Sequence, residues 1–189
     1  MRFTNLQIPG AFRIEAQPTS DERGAFARVF CATEFATAGL PLNIVQASLS
    51  FNARAGTVRG MHFQWPPSHE GKLVRCVRGA LLDVMVDLRP ESAAYLRHQS
   101  VELSEDNRDA VFIPAGVAHG FQTLVDATEV YYQMTDVYAP ELAAGFRWND
   151  PAFGIEWPIS SGVVISRRDA EYPDFERGVY EAELRRRRP

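Results

Sequence analysis

The chain has 189 residues, of which 46% are hydrophobic and 23% are charged, the composition of an ordinary soluble globular protein. Its formal net charge of −4 argues against a nucleic acid as the main partner, because binding a phosphate backbone requires a basic face. No stretch approaches the roughly 18 apolar residues of a membrane span, and Met1–Phe12 lacks an apolar signal segment. We therefore expect one cytoplasmic domain over residues 1–189, with no membrane partner and with a peripheral tail from about residue 176.

The middle of the chain is a succession of short segments that alternate apolar and polar residues or are rich in β-branched and aromatic residues. Turn residues separate these segments, as at Arg78-Gly79-Ala80 and Pro114-Ala115-Gly116. The predicted strands are Ile44–Asn52, Thr57–Gln64, Lys72–Arg78, Leu81–Leu88, His98–Leu103, Asp109–Ile113, His119–Thr123 and Thr128–Thr135. Many short strands at intervals of about 8–12 residues predict an all-β sandwich or barrel.

Helix signals are weak and lie outside this run of strands. Thr33 is predicted to cap a single turn that continues through Ala38 and stops at Gly39. Ala170–Arg187 is predicted to hold a C-terminal helix. The basic run Arg185–Arg188 at its end is typical of a solvated, frayed terminus rather than of a binding surface.

Two of the four histidines lie in segments that resemble the signature of the cupin barrel. His62 completes a Gly-x5-His pattern that begins at Gly56, as in the first cupin segment. His119 completes a Pro-x-Gly-x-x-His pattern that begins at Pro114, as in the second segment. His69 and His98 are most simply loop or surface residues. The two segments occur in the expected order on a strand-rich chain, so together they favour a cupin fold.

Metal-binding cupins resemble one another in a His-x-His pair and a carboxylate from the first segment, plus a histidine from the second. In this chain the second histidine of the pair is replaced by Gln64, and the next acid, Glu70, lies beyond the usual spacing. Two histidines and an amide are a poor ligand set for a divalent transition metal. The sequence therefore disfavours a metal-dependent cupin enzyme, and no cofactor is expected.

Several polar residues are unusual for the interior of a strand. Arg59 and His62 flank Gly60, Lys72 begins a strand, and Tyr132 lies within another. Asp169 follows a pair of arginines near the C-terminus. Each residue alone is more typical of surface or packing positions. Their occurrence together, in a recognisable order along the chain, is what indicates a functional site.

That order closely resembles the dTDP-4-dehydrorhamnose 3,5-epimerase family, over most of the chain. The resemblance is carried by Asp21-Glu22-Arg23-Gly24, Gln46, Gly56–Gln64, Gly71–Arg75, Asp83–Arg89, Ile113–Phe121, Tyr132–Tyr138, Trp148–Pro151, Gly154–Pro158 and Ser166–Asp169. It implies an all-β cupin jelly-roll β-barrel with a few short peripheral helices. It also implies a homodimer and a reaction that uses no metal.

The family's reaction converts a dTDP-linked 4-keto-6-deoxy-D-glucose to dTDP-4-dehydro-L-rhamnose by epimerisation at C3 and C5. The C4 ketone makes the hydrogens on these carbons removable, because the resulting carbanion delocalises onto oxygen as an enolate. The resemblance implies that His62 is the base, oriented by Asp169. It implies that Tyr132 is the acid on the opposite face of the sugar and that Lys72 stabilises the enolate oxygen.

The resemblance also implies a set of substrate-binding residues. Arg23 and Arg59 would contact the diphosphate, since the arginine fork suits phosphate oxygens. Gln46 and His119 would reach the sugar and phosphate region, and Tyr138 would stack on the thymine ring. Arg168 lies where the family has a phosphate-proximal lysine, and Ser48 where it has an asparagine. An N-terminal segment that crosses to the partner subunit would bring Arg23 to the other subunit's site.

Departures from the family pattern affect the rim of the predicted site. Ser48 shortens an amide contact, Arg28 replaces a glutamate, and Ala143 lies where an acid near Tyr138 is expected. The exact substrate therefore stays open between double epimerisation and epimerisation at C3 or C5 alone, on a dTDP- or CDP-linked sugar. A non-catalytic sugar-nucleotide-binding cupin is a further alternative, which retention of the four implied catalytic residues disfavours.

Overall fold

The computed structural model describes residues 1–40 and 42–188. Within them the strands are β1 Arg2–Asn5, β2 Phe12–Glu15, β3 Thr19–Asp21, β4 Gly24–Phe26, β5 Gln46–Asn52, β6 Thr57–Gln64, β7 Lys72–Arg78, β8 Ala80–Asp87, β9 His98–Ser104, β10 Ala110–Ile113, β11 Val117–Thr123, β12 Thr128–Met134, β13 Ala143–Gly145 and β14 Val164–Ile165. The helices are α1 Ala32–Thr37, α2 Arg167–Ala170 and α3 Arg177–Arg187. Every strand predicted from the sequence is present, with ends displaced by at most two residues.

Two sheets, whose neighbouring strands do not follow the order of the chain, form the body of the fold. The first sheet has the order β1-β2-β10-β7-β12-β5, and the second has the order β13-β6-β11-β8-β9 with β14 added beside β6. Strands distant in sequence are neighbours in both sheets, as a jelly roll requires. The all-β cupin jelly roll expected from the sequence is confirmed. The strands β3 and β4 form a separate hairpin.

The central core lies between the two sheets. Val74 and Val130 from the first sheet pack with Met85 and Phe121 from the second. Burying an apolar side chain of this size contributes about 1.5–3 kcal/mol relative to leaving it exposed. The inner faces of the sheets are therefore held together mainly by hydrophobic burial, and polar residues on those faces need a specific reason to be there.

A second cluster covers the outer face of the second sheet. Phe63 and Val84 of that sheet pack with Tyr180 and Leu184 of α3, both of which are buried. The Tyr180 hydroxyl donates a 2.8 Å hydrogen bond to the carbonyl of Leu88. The C-terminal helix therefore packs against the sheet through its apolar side.

Both helix predictions require correction. Cys31, not Thr33, is the N-cap of α1, and no side chain caps this helix; Gly39 does follow its end. The predicted helix Ala170–Arg187 is two helices, because Pro173 disfavours helical backbone at the residue before it. The basic end is helical through Arg187, where Arg186 pairs with Glu183 and Arg188 with Glu91. No helix among the described residues is long and apolar enough to cross a bilayer.

Candidate active site

Two adjoining cavities of about 460 and 670 Å³ share the side chains of His62, Lys72, Tyr132 and Arg168. We call the pair the central cleft. Its walls also include six other residues that the sequence predicted for the site, namely Gln46, Ser48, Arg59, His119, Tyr138 and Asp169. Strands of both sheets, the short helix α2 and, for Tyr138, the segment between β12 and β13 contribute these residues, so closure of the jelly roll brings them together.

The His62 ring is held by Asp169 across 107 residues of sequence. Nε2 of His62 lies 2.8 Å from Oδ1 of Asp169, while Oδ2 accepts a 3.3 Å hydrogen bond from the amide of Gly60. The carboxylate is fixed in turn by its position in α2, whose N-cap Ser166 accepts a hydrogen bond from the Asp169 amide. Burial opposes ionisation of Asp169, but its hydrogen bonds and the nearby imidazole hold its pKa below the usual value.

Gly60 allows β6 to approach β11 closely. A Cβ at this position would lie 2.5 Å from Cα of Gly120, and φ of Gly60 is +129°, where side chains are disfavoured. The register is irregular on the β11 side, between His119 and Phe121. His62 and His119 are directly paired across these strands. The glycine pair thus fixes the backbone that presents both histidines to the cleft.

Tyr132 lies on β12 in the wall of the cleft, partly buried against the central core. Burial raises the pKa of its phenol, and the negative charge of Asp83 raises it further. The nearby Arg59 and Ser50 oppose these effects without reversing them. Tyr132 is therefore a neutral phenol at ordinary pH and can donate a hydrogen bond or a proton.

Lys72 begins β7, and its ammonium forms an ion pair with the Glu70 carboxylate. Glu70 also accepts a 2.9 Å hydrogen bond from Nε2 of Gln64. The side chains of Glu70 and Lys72 are only 6% and 17% exposed, so this pair is shielded from solvent. The cleft therefore contains a lysine whose ammonium is held by a neighbouring shielded acid.

A second His–Asp pair lies beside the first. Nε2 of His119 is 2.7 Å from Oδ2 of Asp83, whose side chain is fully buried. Burial raises the pKa of Asp83, while His119 lowers it through its charge and hydrogen bond, and the net shift is upward. The His119 ring also meets the edge of Tyr132 at 6.2 Å between centroids. His119 is thus fixed in orientation by a residue outside the cleft.

The remaining predicted binding residues line the rim. Nε of Arg59 donates a 2.8 Å hydrogen bond to Oδ1 of Asn52, and Oε1 of Gln46 accepts a 3.1 Å hydrogen bond from the amide of Tyr138. Nε of Arg168 donates a 3.0 Å hydrogen bond to the Tyr172 hydroxyl. These contacts leave polar groups and the Tyr138 ring beside the space that a ligand would occupy.

Arg23 does not line the central cleft of its own chain. It lies at the turn of the hairpin β3–β4, and 83% of its side chain is exposed. Its guanidinium pairs with Asp21, two residues away, rather than with any group of the cleft. Within one chain, the structure therefore separates Arg23 from the other predicted site residues.

Sequence reasoning missed several side chains that organise the cleft, namely Glu70, Asp83 and Tyr172. From the sequence, Glu70 is recognisable only as a distant metal-ligand candidate. Asp83 carries a recognisable signal, because it interrupts the apolar run Leu81–Leu88. Tyr172, which meets the His62 ring edge-on, carries none. Over residues 1–40 and 42–188, no three His, Cys, Asp or Glu side chains are grouped as metal ligands would be.

Comparison with known proteins gives concordant results. Residues 5–177 match the sequence profile of the dTDP-4-dehydrorhamnose 3,5-epimerase family. A dTDP-4-dehydrorhamnose 3,5-epimerase of Sinorhizobium fredii is 43% identical over 175 residues, which is 93% of this chain and 90% of that protein. A dTDP-4-dehydrorhamnose 3-epimerase of Streptomyces niveus is 37% identical over 172 residues, or 90% and 82% of the two chains.

Among solved structures, the chain resembles the dTDP-6-deoxy-D-glucose-3,5-epimerase of Legionella pneumophila in complex with dTDP-4-keto-L-rhamnose. The TM-score is 0.89 at 34% identity, and the match covers 97% of this chain and 96% of the other.

Proposed function

Because this chain belongs to the dTDP-4-dehydrorhamnose 3,5-epimerase family, we propose that it epimerises a dTDP-linked 4-keto-6-deoxy-D-glucose at C3 and C5. The product would be dTDP-4-dehydro-L-rhamnose. The observation that carries the proposal is the shared cleft in which the His62–Asp169 pair, Tyr132 and Lys72 meet. A base, an acid and a cation around one space are what inversion through an enolate requires.

His62 is the base in this mechanism. An ionised Asp169 can only accept a hydrogen bond, so Nε2 of His62 carries a proton and Nδ1 is left free to take another. When Nδ1 removes the proton from C3 or C5, the carboxylate stabilises the imidazolium that forms. The electron pair of the broken C–H bond moves onto the C4 oxygen.

Lys72 and Tyr132 complete each inversion. The Lys72 ammonium stabilises the negative oxygen of the enolate, and the Tyr132 hydroxyl returns a proton to the other face of the carbon. The C4 carbonyl then re-forms. The proton count is restored when the imidazolium releases its proton and the phenolate regains one from solvent.

Solvent exchange tests the chemistry directly. In D₂O, the wild-type protein should incorporate deuterium at both C3 and C5 of the 4-keto sugar, as read by NMR. His62→Ala should abolish this incorporation, by at least about 10³-fold, because the base is lost. His69→Ala is the matched control, since His69 is exposed and lies outside the cleft. Binding of the sugar nucleotide without exchange at any carbon would contradict the proposal.

Single-site epimerisation is the second candidate. It is supported by the similarity to the 3-epimerase of Streptomyces niveus and by the shortened Ser48 side chain in the cleft. The catalytic set would be the same, so the two candidates differ only in which carbon reaches His62. Deuterium at C3 alone or at C5 alone would favour this candidate over the first.

The nucleotide is proposed to bind at the rim of the cleft. Arg59 and Arg168 supply the positive charge for a diphosphate, and Tyr138 supplies a ring for stacking on a thymine. Comparing dTDP- and CDP-linked 4-keto sugars in the same exchange experiment tests this assignment, with faster exchange expected for the dTDP sugar.

The protein is further proposed to act as a homodimer with exchanged N-terminal segments. Leu49 and Phe51 on β5 are 61% and 54% exposed, while Ser48 and Ser50, which alternate with them along the strand, line the cleft. Phe26 on the β3–β4 hairpin is 81% exposed. A second copy of the chain would bury these side chains, and the hairpin would carry Arg23 to the partner's cleft.

The cytoplasm is the proposed location of the reaction. Cys31 and Cys76 form no disulfide, which suits a reducing compartment. Burial raises the pKa of the Cys76 thiol to about 11, so this cysteine behaves as a packed apolar group rather than a reactive one.

A further inference from the structure

Gln64 lies where a metal-binding cupin carries its second histidine, Glu70 follows six residues later, and both line the cleft. We infer that Glu70, braced by Gln64, is a positioning residue that holds the Lys72 ammonium at the C4 oxygen of the substrate. The inference rests on the proposed function, and it assigns a role to two residues that the mechanism above leaves unused.

Both oxygens of the Glu70 carboxylate are occupied. Oε1 pairs with the Lys72 ammonium, and Oε2 accepts the hydrogen bond from Gln64. Gln64 is fixed at its other end, where its Oε1 accepts a 2.8 Å hydrogen bond from the amide of Ala139. The Glu70 amide donates to the hydroxyl of Ser68 at 3.2 Å. Glu70 therefore has a defined orientation, with its carboxylate directed to Lys72 and Gln64.

Lysine needs such support in this position. Its side chain has four flexible carbons, and its ammonium is strongly hydrated, so an unsupported lysine would turn toward water. A shielded ammonium that loses its counter-charge is also costly. The Glu70 charge weakens the field at the enolate oxygen, but the hydrogen bond from Gln64 fixes this carboxylate against Lys72, and its Coulomb effect falls with its distance from that oxygen. Orientation is therefore expected to outweigh the opposing charge.

This chain and the metal-binding cupins use the first cupin segment for different positive groups. Those proteins use the first segment to hold a Lewis acid, whereas this chain uses the same region to hold an organic cation. Gln64 cannot serve as a metal-binding imidazole, but its amide can donate to the carboxylate that fixes Lys72.

Glu70→Gln tests the inference, because it keeps the size of the side chain and removes its charge. We expect the rate of deuterium exchange at saturating substrate to fall by about tenfold to a hundredfold, the effect of misplacing a reacting group by about 1 Å. KM and the affinity for dTDP should change by less than about twofold, because the Glu70 carboxylate is engaged by Lys72 and Gln64 rather than by the residues proposed to bind the nucleotide. Glu102→Gln, an exposed acid on β9, is the matched control.

The same substitution is then made in a Lys72→Ala background, where a residue that acts only through Lys72 should have no further effect on the exchange rate. A further fall in that background would overturn the inference, since Glu70 would then act on the substrate or on the fold. An unchanged or faster rate for Glu70→Gln alone would also overturn it. If Glu70→Gln does not fold, Glu70→Asp, which withdraws the charge by one methylene, replaces it with the same expectations. A wild-type protein that exchanges no deuterium would instead refute the proposed function.

Discussion

Asp169 and Tyr132 face the same cleft, yet their surroundings shift their pKa values in opposite directions. Hydrogen bonds from His62 and Gly60 outweigh burial and lower the pKa of Asp169. Burial and the charge of Asp83 raise the pKa of Tyr132. One group is therefore kept as an anion that supports a base, and the other as a neutral proton donor. These two environments therefore explain why the His62–Asp169 pair can act as the base and Tyr132 as the acid.

Removing the Tyr132 hydroxyl should separate deprotonation from inversion. Tyr132→Phe leaves His62 and Lys72 in place, so deuterium exchange should persist within about tenfold of wild type, while formation of the inverted sugar should fall by about 10²-fold or more. NMR of the sugar ring in D₂O reports both quantities in one sample. Tyr131→Phe, on the opposite face of the same strand, is the control. Equal losses of exchange and inversion would show that Tyr132 is needed before the proton returns.

A buried acid, Asp87, stabilises the end of strand β8 next to the turn that precedes β11. Asp87 ends β8, and its carboxylate accepts hydrogen bonds from the amide and guanidinium of Arg89 and from the Ser92 hydroxyl. The next residue, Leu88, donates a 3.1 Å hydrogen bond to the carbonyl of Gly116 in the second cupin segment. Burial opposes ionisation of Asp87, but Arg89 and Ser92 lower its pKa. This network holds the turn that leads to His119.

Asp87→Asn should reduce the free energy of unfolding at pH 7 by about 2–4 kcal/mol, because the largely buried Arg89 loses its counter-charge. The wild-type contribution is fully present above the unfolded-state pKa of about 4 and is lost as pH falls through the lower folded-state pKa. The variant should therefore lose less stability than wild type on acidification. Urea unfolding at pH 7 and near pH 3 measures both effects, with the exposed Asp106→Asn as control. Parallel pH profiles for the two proteins would contradict the assignment.

At the scale of the whole molecule, one predicted site residue is separated from the rest. Ten of the predicted residues line the cleft of the chain, whereas Arg23 lies on an exposed hairpin beside the exposed Phe26. An apolar side chain that is four-fifths exposed, and an arginine that pairs with the exposed Asp21 rather than with a cleft residue, are both explained if the hairpin packs on a second subunit. The proposed dimer would therefore both bring Arg23 to a cleft and bury the exposed Phe26.

Mixed dimers test this arrangement. Arg23→Ala and His62→Ala subunits, carrying different tags, are co-expressed and the mixed dimer is purified. If the hairpin is exchanged, one cleft in each mixed dimer has both residues intact, so about half of the wild-type activity per dimer should return. Each variant alone should be impaired, with Arg23→Ala acting mainly through KM. Absence of recovery would mean that Arg23 serves no cleft of the partner.

The local pattern was sufficient to predict most strands, since alternation with a period of two depends only on nearby residues. It failed at the helices for identifiable reasons. Pro173 breaks the predicted C-terminal helix, a signal that was present in the sequence. At α1 the expected Thr33 cap lies inside the helix, because packing of the buried Phe35 rather than a side-chain cap fixes this short element.

By itself the sequence determined the class of fold, the order of the cupin segments and the residue types available for chemistry. The tertiary structure decided which of them touch, because contacts such as His62–Asp169 and His119–Asp83 join residues far apart in the chain. It also decided that Glu70, dismissed as a metal ligand by its spacing, lies against Lys72. Spacing along a strand fixes only which face a side chain takes. Its partner and its charge state depend on the strands and loops that close over it.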